Sequence, residues 1–206
     1  MKGFYLKSWL VALALIWQVG PATADIEGNF QKIGLVPERN SLDVVVFDEY
    51  LNFTCPHCNN FRKAGQPLKQ KYGSRLKINY IPILFGNQAD HPLRLFFIAQ
   101  REGREEEIKD LIFDAAFKFG VNIYDPAVVQ YLARSSGLGA NFEAEANADW
   151  VTEKVLRAQQ QASQVGIKAT PTVVLHGTIL VEPQSGMQAY VGNLDRIINQ
   201  LLKIRS

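Results

Sequence analysis

Cysteine is scarce in this chain, with only two among 206 residues. Both lie in one stretch, Thr54-Cys55-Pro56-His57-Cys58. That excludes a framework of structural disulfides, because such bridges join distant segments and gain most from long loops. A bridge across two intervening residues closes almost nothing. Histidine is sparse as well, and outside the motif only His91 and His176 remain, isolated and far apart. A zinc centre takes four ligands, commonly a second cysteine pair or two histidines at set spacing. No metal is therefore expected, and His91 reads as a helix-start residue and His176 as a turn residue. Charge of one sign is also lacking. Lysine and arginine number 22 against 20 acids, a formal +2, with no long like-charge run, so no nucleic-acid footprint is indicated. Repeats and low-complexity segments are absent. What remains is 47% hydrophobic and 20% charged, a balance that buries a core and does not make a disordered tail.

Long apolar runs are missing, with one exception. Lys2 and Lys7 precede the run from Leu10 to Trp17, and Ala22-Thr23-Ala24 follows it. A basic start, a short apolar centre and an Ala-x-Ala site read as a secretory signal peptide over residues 1–24, cut before Asp25. A buried core helix is the plain alternative, but the run is short and stands at the extreme N-terminus. The segment holds no cysteine for a lipid anchor and no twin arginine, and uncut it would act as a membrane tether. No other stretch approaches the roughly 20 residues that span a bilayer, so residues 25–206 are expected to be soluble.

The rest of the pattern is α/β. Asn29 to Leu35 suits a short edge strand. Leu42 to Leu51 is β-branched and apolar enough for a central strand covered on both faces. Pro56 fits the first turn of a helix, with Phe61, Ala64, Leu68 and Tyr72 as its apolar stripe, a kink at Pro67 and an end at Gly73. Leu76 to Leu84 reads as a second strand, completing a parallel βαβ unit. From Asp90 to Gly166 the periodicity is helical. Ile108, Leu111, Ile112, Ala115 and Phe119 mark one helix, and Asp125-Pro126 opens another with Val129, Leu132 and Ala133. Val151, Val155, Ala158, Ala162 and Val165 mark a third. Strands return at Thr172–Leu175 and Thr178–Val181 around His176-Gly177, and Leu194, Ile197, Ile198 and Leu201 give a last helix. Strands on both sides of the helical block must share one sheet, since neither set buries its faces alone. The block, about 90–166, is then an insertion.

A cysteine pair without other partners is a redox dithiol, half a metal site or a chance pair. Its setting favours the first. Strand, CxxC and helix in succession put Cys55 at a helix N-terminus, where free N–H groups and the positive end of the dipole favour an anion. The thiolate is the nucleophile, so a reactive cysteine belongs there. His57 adds a nearby positive or hydrogen-bonding group. Cys55 should be the exposed attacker and Cys58, one turn on, the shielded resolver, with exchange passing through a mixed disulfide on Cys55.

At these residues the chain resembles the DsbA family of thioredoxin-fold disulfide oxidoreductases. The resemblance covers most of the mature chain. It rests on Glu49 through Cys58, on the place of the helical insertion, and on Leu156-Arg157-Ala158-Gln159-Gln160 through the C-terminal helix. It implies a thioredoxin-like fold with a helical insertion, no cofactor, and introduction of disulfides into reduced exported proteins in the bacterial periplasm. Reoxidation by a DsbB-type membrane protein follows from it too. Pro171, in Ala169-Thr170-Pro171-Thr172, matches the family's cis-proline facing the CxxC, and Thr170 then offers its backbone to substrate. Proline at a strand's first residue loses no ladder bond in any case. Glu49 matches the buried acid beneath the active site, able to take a proton from Cys58 or disfavour its thiolate. The plain alternative is a solvated strand end. One departure stands out: the archetype has valine where this chain has Thr170, as in several reductase and isomerase relatives. That leaves redox direction open. The dimerisation domain of isomerase relatives has no counterpart in the residues between Asp25 and the first central strand, so a monomer is expected. Two rival functions stand beside the oxidase: a reductase or isomerase kept reduced by a membrane donor, and a peptide-binding chaperone module without redox turnover. Two intact cysteines argue against the last.

Overall fold

The computed structural model describes residues 26–35 and 42–202. The signal peptide read over residues 1–24 lies outside the described residues. Three strands and two helices make up the first part of the described chain. β1 (Phe30–Lys32) and β2 (Val45–Leu51) precede the cysteines. α1 (Pro56–Ala64) and α2 (Gln66–Tyr72) follow, then β3 (Leu76–Pro82). Five helices come next: α3 (His91–Arg101), α4 (Glu105–Phe117), α5 (Pro126–Ser135), α6 (Phe142–Ala146) and α7 (Asp149–Val165). β4 (Thr172–Leu175), β5 (Ile179–Val181) and α8 (Met187–Leu202) close the chain.

All five strands form one sheet in the order β1-β5-β4-β2-β3. β2 is an interior strand, parallel to β3 and antiparallel to β4. The strands before and after the helical block thus pair directly, with Glu49 opposite Val173 and Asp48 opposite Val174. Each face of the sheet carries its own core. Val45, Phe47, Val173, Leu175, Ile179 and Val181 pack against Phe61 and Leu68 and against Leu194, Ile197, Ile198 and Leu201 of α8. Tyr50 and Val174 belong to the second core, with α3, α4 and α7. A period of two along each strand sends neighbouring residues to opposite faces, which is why one sheet supports both layers.

Local structure follows from local chemistry, with three departures from the periodicity. The helix after the cysteines is broken rather than kinked: α1 ends at Ala64 and α2 begins at Gln66. Pro67 has no N–H to give and its ring crowds the preceding turn, so the ladder restarts at Gly65, whose carbonyl accepts from Leu68 N–H. α4 ends at Phe117, so Phe119 is not part of its buried stripe and stands 67% exposed. Gly120 adopts a left-handed φ of 65° and Val121 N–H returns to Ala115 O, which stops the helix. β5 starts at Ile179, not Thr178, because His176 (φ 52°) and Gly177 (φ 67°) form the turn and Thr178 N–H closes it on Leu175 O. Elsewhere the signals hold. The Asp125 carboxylate accepts from Ala127 N–H at 2.8 Å, capping α5. His91 is simply the first residue of α3.

Candidate active site

Cys55 is the N-cap of α1, with extended backbone (φ −82°, ψ 116°). The loop before it is held by Asn52, a buried side chain. Its Oδ1 accepts from Thr54 N–H (3.0 Å) and Thr54 hydroxyl (2.8 Å), and its Nδ2 donates to Ile83 O (2.8 Å) and Gln88 Oε1 (2.7 Å). Gln88 Nε2 donates back to Thr54 Oγ1 at 3.2 Å, and the Tyr124 hydroxyl contacts the same oxygen at 3.0 Å. The turn that presents Cys55 is therefore clamped by the β3–α3 loop and by the α4–α5 loop of the helical block. Asn52, Gln88 and Tyr124 escaped the sequence reading. A short polar side chain between the end of the strand and the cysteines was the one signal for Asn52, and the other two carry none.

Both cysteines are free thiols. Cys55 is half-buried and its Sγ lies 3.1 Å from Thr170 O, to which the thiol donates. Its pKa is lowered to about 5. The largest cause is a hydrogen bond from the Cys58 thiol, opposed by partial burial. The Thr170 hydroxyl and the backbone N–H groups of Cys58 and His57 assist. Two effects at Thr170 thus pull oppositely: its carbonyl holds the protonated thiol, and its hydroxyl supports the thiolate. The second governs once the proton has left, since a carbonyl cannot donate. Cys58 is fully buried, and its pKa is driven upward, first by burial and then by its bond to Cys55. His57 acts through its main chain. Its side chain is exposed, and the groups that lower Cys55 include its main-chain N–H. Pro56, exposed at the first position of α1, has no N–H and leaves the donors of His57 and Cys58 to the sulfur.

The Thr170–Pro171 peptide is cis, directly before β4. Thr170 is brought to Cys55 across 115 residues of chain. Glu49 is buried on β2, so it is no solvated strand end. Its pKa is raised by burial, while Lys109 and then Lys69 pull it down. Asp48, on the opposite face, is buried as well and accepts from Asn79 Nδ2 at 2.7 Å. Lys109 comes from α4 and is only 3% exposed. Its ammonium sits 3.8 Å from the Tyr80 ring centre and 3.6 Å from Glu106. Lys69 also lies over Tyr80 and bonds Glu106. Glu49, Lys69 and Lys109 line one small cavity with Phe61 and Arg62. A buried lysine under the cysteine helix had no sequence signal, because in α4 it reads as one more surface charge. No group of side chains suited to a metal occurs among the described residues.

Residues 42–193 match the thioredoxin family model. The thiol:disulfide interchange protein DsbA of Haemophilus influenzae is 25% identical over 188 residues, covering 87% of this chain and 90% of that protein. DsbA of Escherichia coli K12 is 22% identical over 200 residues, covering 94% and 93%. Among solved structures, DsbA from Xylella fastidiosa superposes with a TM-score of 0.68 at 22% identity, covering 77% of this chain and 86% of that one. Proteus mirabilis DsbA, solved with a non-covalently bound peptide, gives 0.64 at 18% identity, covering 87% and 100%.

Proposed function

The chain belongs to the thioredoxin family and is a DsbA-like thiol:disulfide oxidoreductase; from that premise we propose that it works as an oxidase, placing disulfides in reduced proteins exported to the periplasm. The observation that carries this reading is the opposed ionisation of the two sulfurs, Cys55 lowered to about 5 and Cys58 raised. A stabilised Cys55 thiolate stabilises the dithiol state, and a stable dithiol makes its disulfide a strong electron acceptor.

The steps follow from the same asymmetry. A substrate thiolate attacks Cys55 Sγ of the Cys55–Cys58 disulfide, and the Cys55–Cys58 bond breaks. Cys58 leaves with the electron pair and takes a proton, because burial disfavours its anion. We assign that proton to traffic with the buried Glu49. A second substrate thiolate then attacks the substrate sulfur of the mixed disulfide and expels Cys55. Thiols of low pKa leave fastest, so release is favoured. The substrate loses two electrons and gains its disulfide; the protein ends with both cysteines reduced.

Polypeptide substrates are supported by the peptide bound to the Proteus relative. In this reading Thr170 and Pro171 border the substrate strand, with the Thr170 carbonyl exchanging its bond to the Cys55 thiol for one to the substrate backbone. Reoxidation falls to a DsbB-type membrane oxidase, and the protein acts as a monomer delivered by the segment 1–24. No helix among the described residues is long and apolar enough to cross a membrane.

Mixing the oxidised protein with a reduced dithiol peptide tests the reading. The wild type should return oxidised peptide and two free thiols. Cys58→Ala, joined through Cys55 to a peptide that carries a single cysteine, should hold that peptide covalently, because neither Cys58 nor a second substrate thiol is there to attack, and Cys55→Ser should do neither. Wild-type disulfide left intact by excess peptide, with the reduced form instead reducing peptide disulfides, would move the protein to the reductase reading.

A further inference from the structure

One feature of the molecule lies beside this chemistry without entering it. α1 and α4 part to leave a cleft of about 700 Å³, lined by Asn59, Arg62 and Lys63 on one side and Asp110, Phe117 and Lys118 on the other. Neither Thr170 nor Pro171 lines it. Its floor is the Arg62 guanidinium, which donates to Asp110 O at 3.1 Å and to Asp114 Oδ1 at 2.6 Å and lies 5.6 Å from the Phe113 ring centre. Three polar atoms are buried there without a hydrogen bond among the described residues: Asn59 Oδ1, Arg62 Nε and Asp110 Oδ1. Unmet, such atoms cost free energy, and a ligand carrying both donors and acceptors meets them.

The cleft is joined to the active site along both walls. On α1, Cys55, Asn59 and Arg62 recur at helical spacing, and Asn59 N–H donates to Cys55 O at 3.2 Å. On the other side the chain runs from Phe117 through the exposed Phe119 and Val121 to Tyr124, whose hydroxyl touches Thr54.

Resting on the oxidoreductase reading, we propose that the α1–α4 cleft is a second binding site for the substrate polypeptide, taking an extended segment beside the reacting cysteine with preference for an acidic side chain. A peptide backbone supplies the donors and acceptors, an N–H and a C=O at each residue. Charge selects the side chain. Asp110 and Asp114 are engaged by Arg62, whereas Lys63 and Lys118 stand exposed at the rim. Distance selects the position. Asn59 and Lys63 lie four and eight residues, roughly 6 and 12 Å, along the helix from Cys55. An extended chain advances about 3.3 Å per residue, so the contact falls about two to four residues from the substrate cysteine.

The test uses two dithiol peptides that differ only in Glu or Lys three residues from the attacking cysteine, with dithiothreitol as a substrate too small to reach the cleft. Wild type should oxidise the Glu peptide about threefold to tenfold faster in kcat/KM than the Lys peptide, and salt should narrow the gap. The double variant Lys63→Glu, Lys118→Glu should reverse the order and leave dithiothreitol oxidation unchanged, which also shows that it is folded. Equal rates for the two peptides, or a preference that survives the charge reversal, would remove the cleft from the account. Failure to oxidise even dithiothreitol would overturn the oxidase reading instead. Equilibrium binding of serine-for-cysteine versions of the peptides, which needs no chemistry, then decides the cleft by the same order of affinities.

Discussion

Cys55 and Cys58 are one helical turn apart and ionise in opposite senses, and proton counting makes this measurable. Above pH about 5 the reduced protein carries a Cys55 thiolate and a Cys58 thiol. Reduction of the disulfide then takes up two electrons and one proton. The reduction potential should fall by about 30 mV per pH unit between pH 6 and 8, and about twice as steeply below pH 5. A redox titration with the steeper slope at neutral pH would mean that Cys55 keeps its proton. Thr170 contributes at the same scale. Its hydroxyl supports the thiolate, while its carbonyl contact to Sγ is main chain and survives substitution. Thr170→Val should therefore lower the potential by about 30–60 mV, the equivalent of one hydrogen bond to a charged group, and leave oxidation of dithiols in place. An unchanged potential would show that the carbonyl alone matters.

At the scale of elements, α4 reaches from the helical block to the underside of the cysteine helix. It delivers Lys109 beside Glu49 and Tyr80 and supplies Asp110 and Asp114 to Arg62 of α1. Lys109→Met removes the foremost cation acting on a buried carboxylate. The substitution should destabilise the fold, and the loss should depend on pH. Burial already raises the folded pKa of Glu49 above its unfolded value, and the substitution raises it further. A raised acid binds more protons folded than unfolded, so stability falls as pH rises through that window. Denaturant unfolding should show a small deficit near pH 4 that grows toward pH 8. A deficit independent of pH would mean that Lys109 matters for packing alone.

For the whole molecule, redox state and stability are linked. The folded pKa of Cys55, about 5, lies below the unfolded value of about 8.5. Its stabilising effect on the reduced protein is full above the unfolded value and is lost as pH falls through 5. The oxidised protein has no thiolate there. The reduced form should therefore melt above the oxidised form at pH 7, with the gap closing as pH drops to 5 and below. An oxidised form that melts higher at pH 7 would favour the reductase reading. The same linkage ties folding to function, because the donors that stabilise the thiolate, the Cys58 thiol first and then the Thr170 hydroxyl and the N–H groups of Cys58 and His57, meet at Cys55 only in the folded protein.

Much of this was legible in the residues in order. The β2–Cys55–α1 succession, the Asp125 cap and the α8 stripe are local, set by propensity, capping and period within a few residues of one another. The break at Gly65 was half legible: Pro67 announced a disturbance, but whether a helix bends or restarts depends on what packs beneath it. Cys55 could be proposed as the nucleophile because strand-to-helix chemistry there is decided by the adjacent turn. What lies around it was legible only in part. Thr170 meets Cys55 from 115 residues away and was named through the family resemblance alone, whereas Lys109 approaches Glu49 from a helix whose sequence reads as an ordinary charged surface. The Asn52, Gln88 and Tyr124 clamp joins three loops that share no pattern. Burial, pairing and pKa are properties of neighbours in space. The order of residues was enough to lay out most of the elements and to propose the reacting sulfurs; the electrostatics that set those sulfurs apart, and the cleft beside them, exist only once the helical block closes over the sheet.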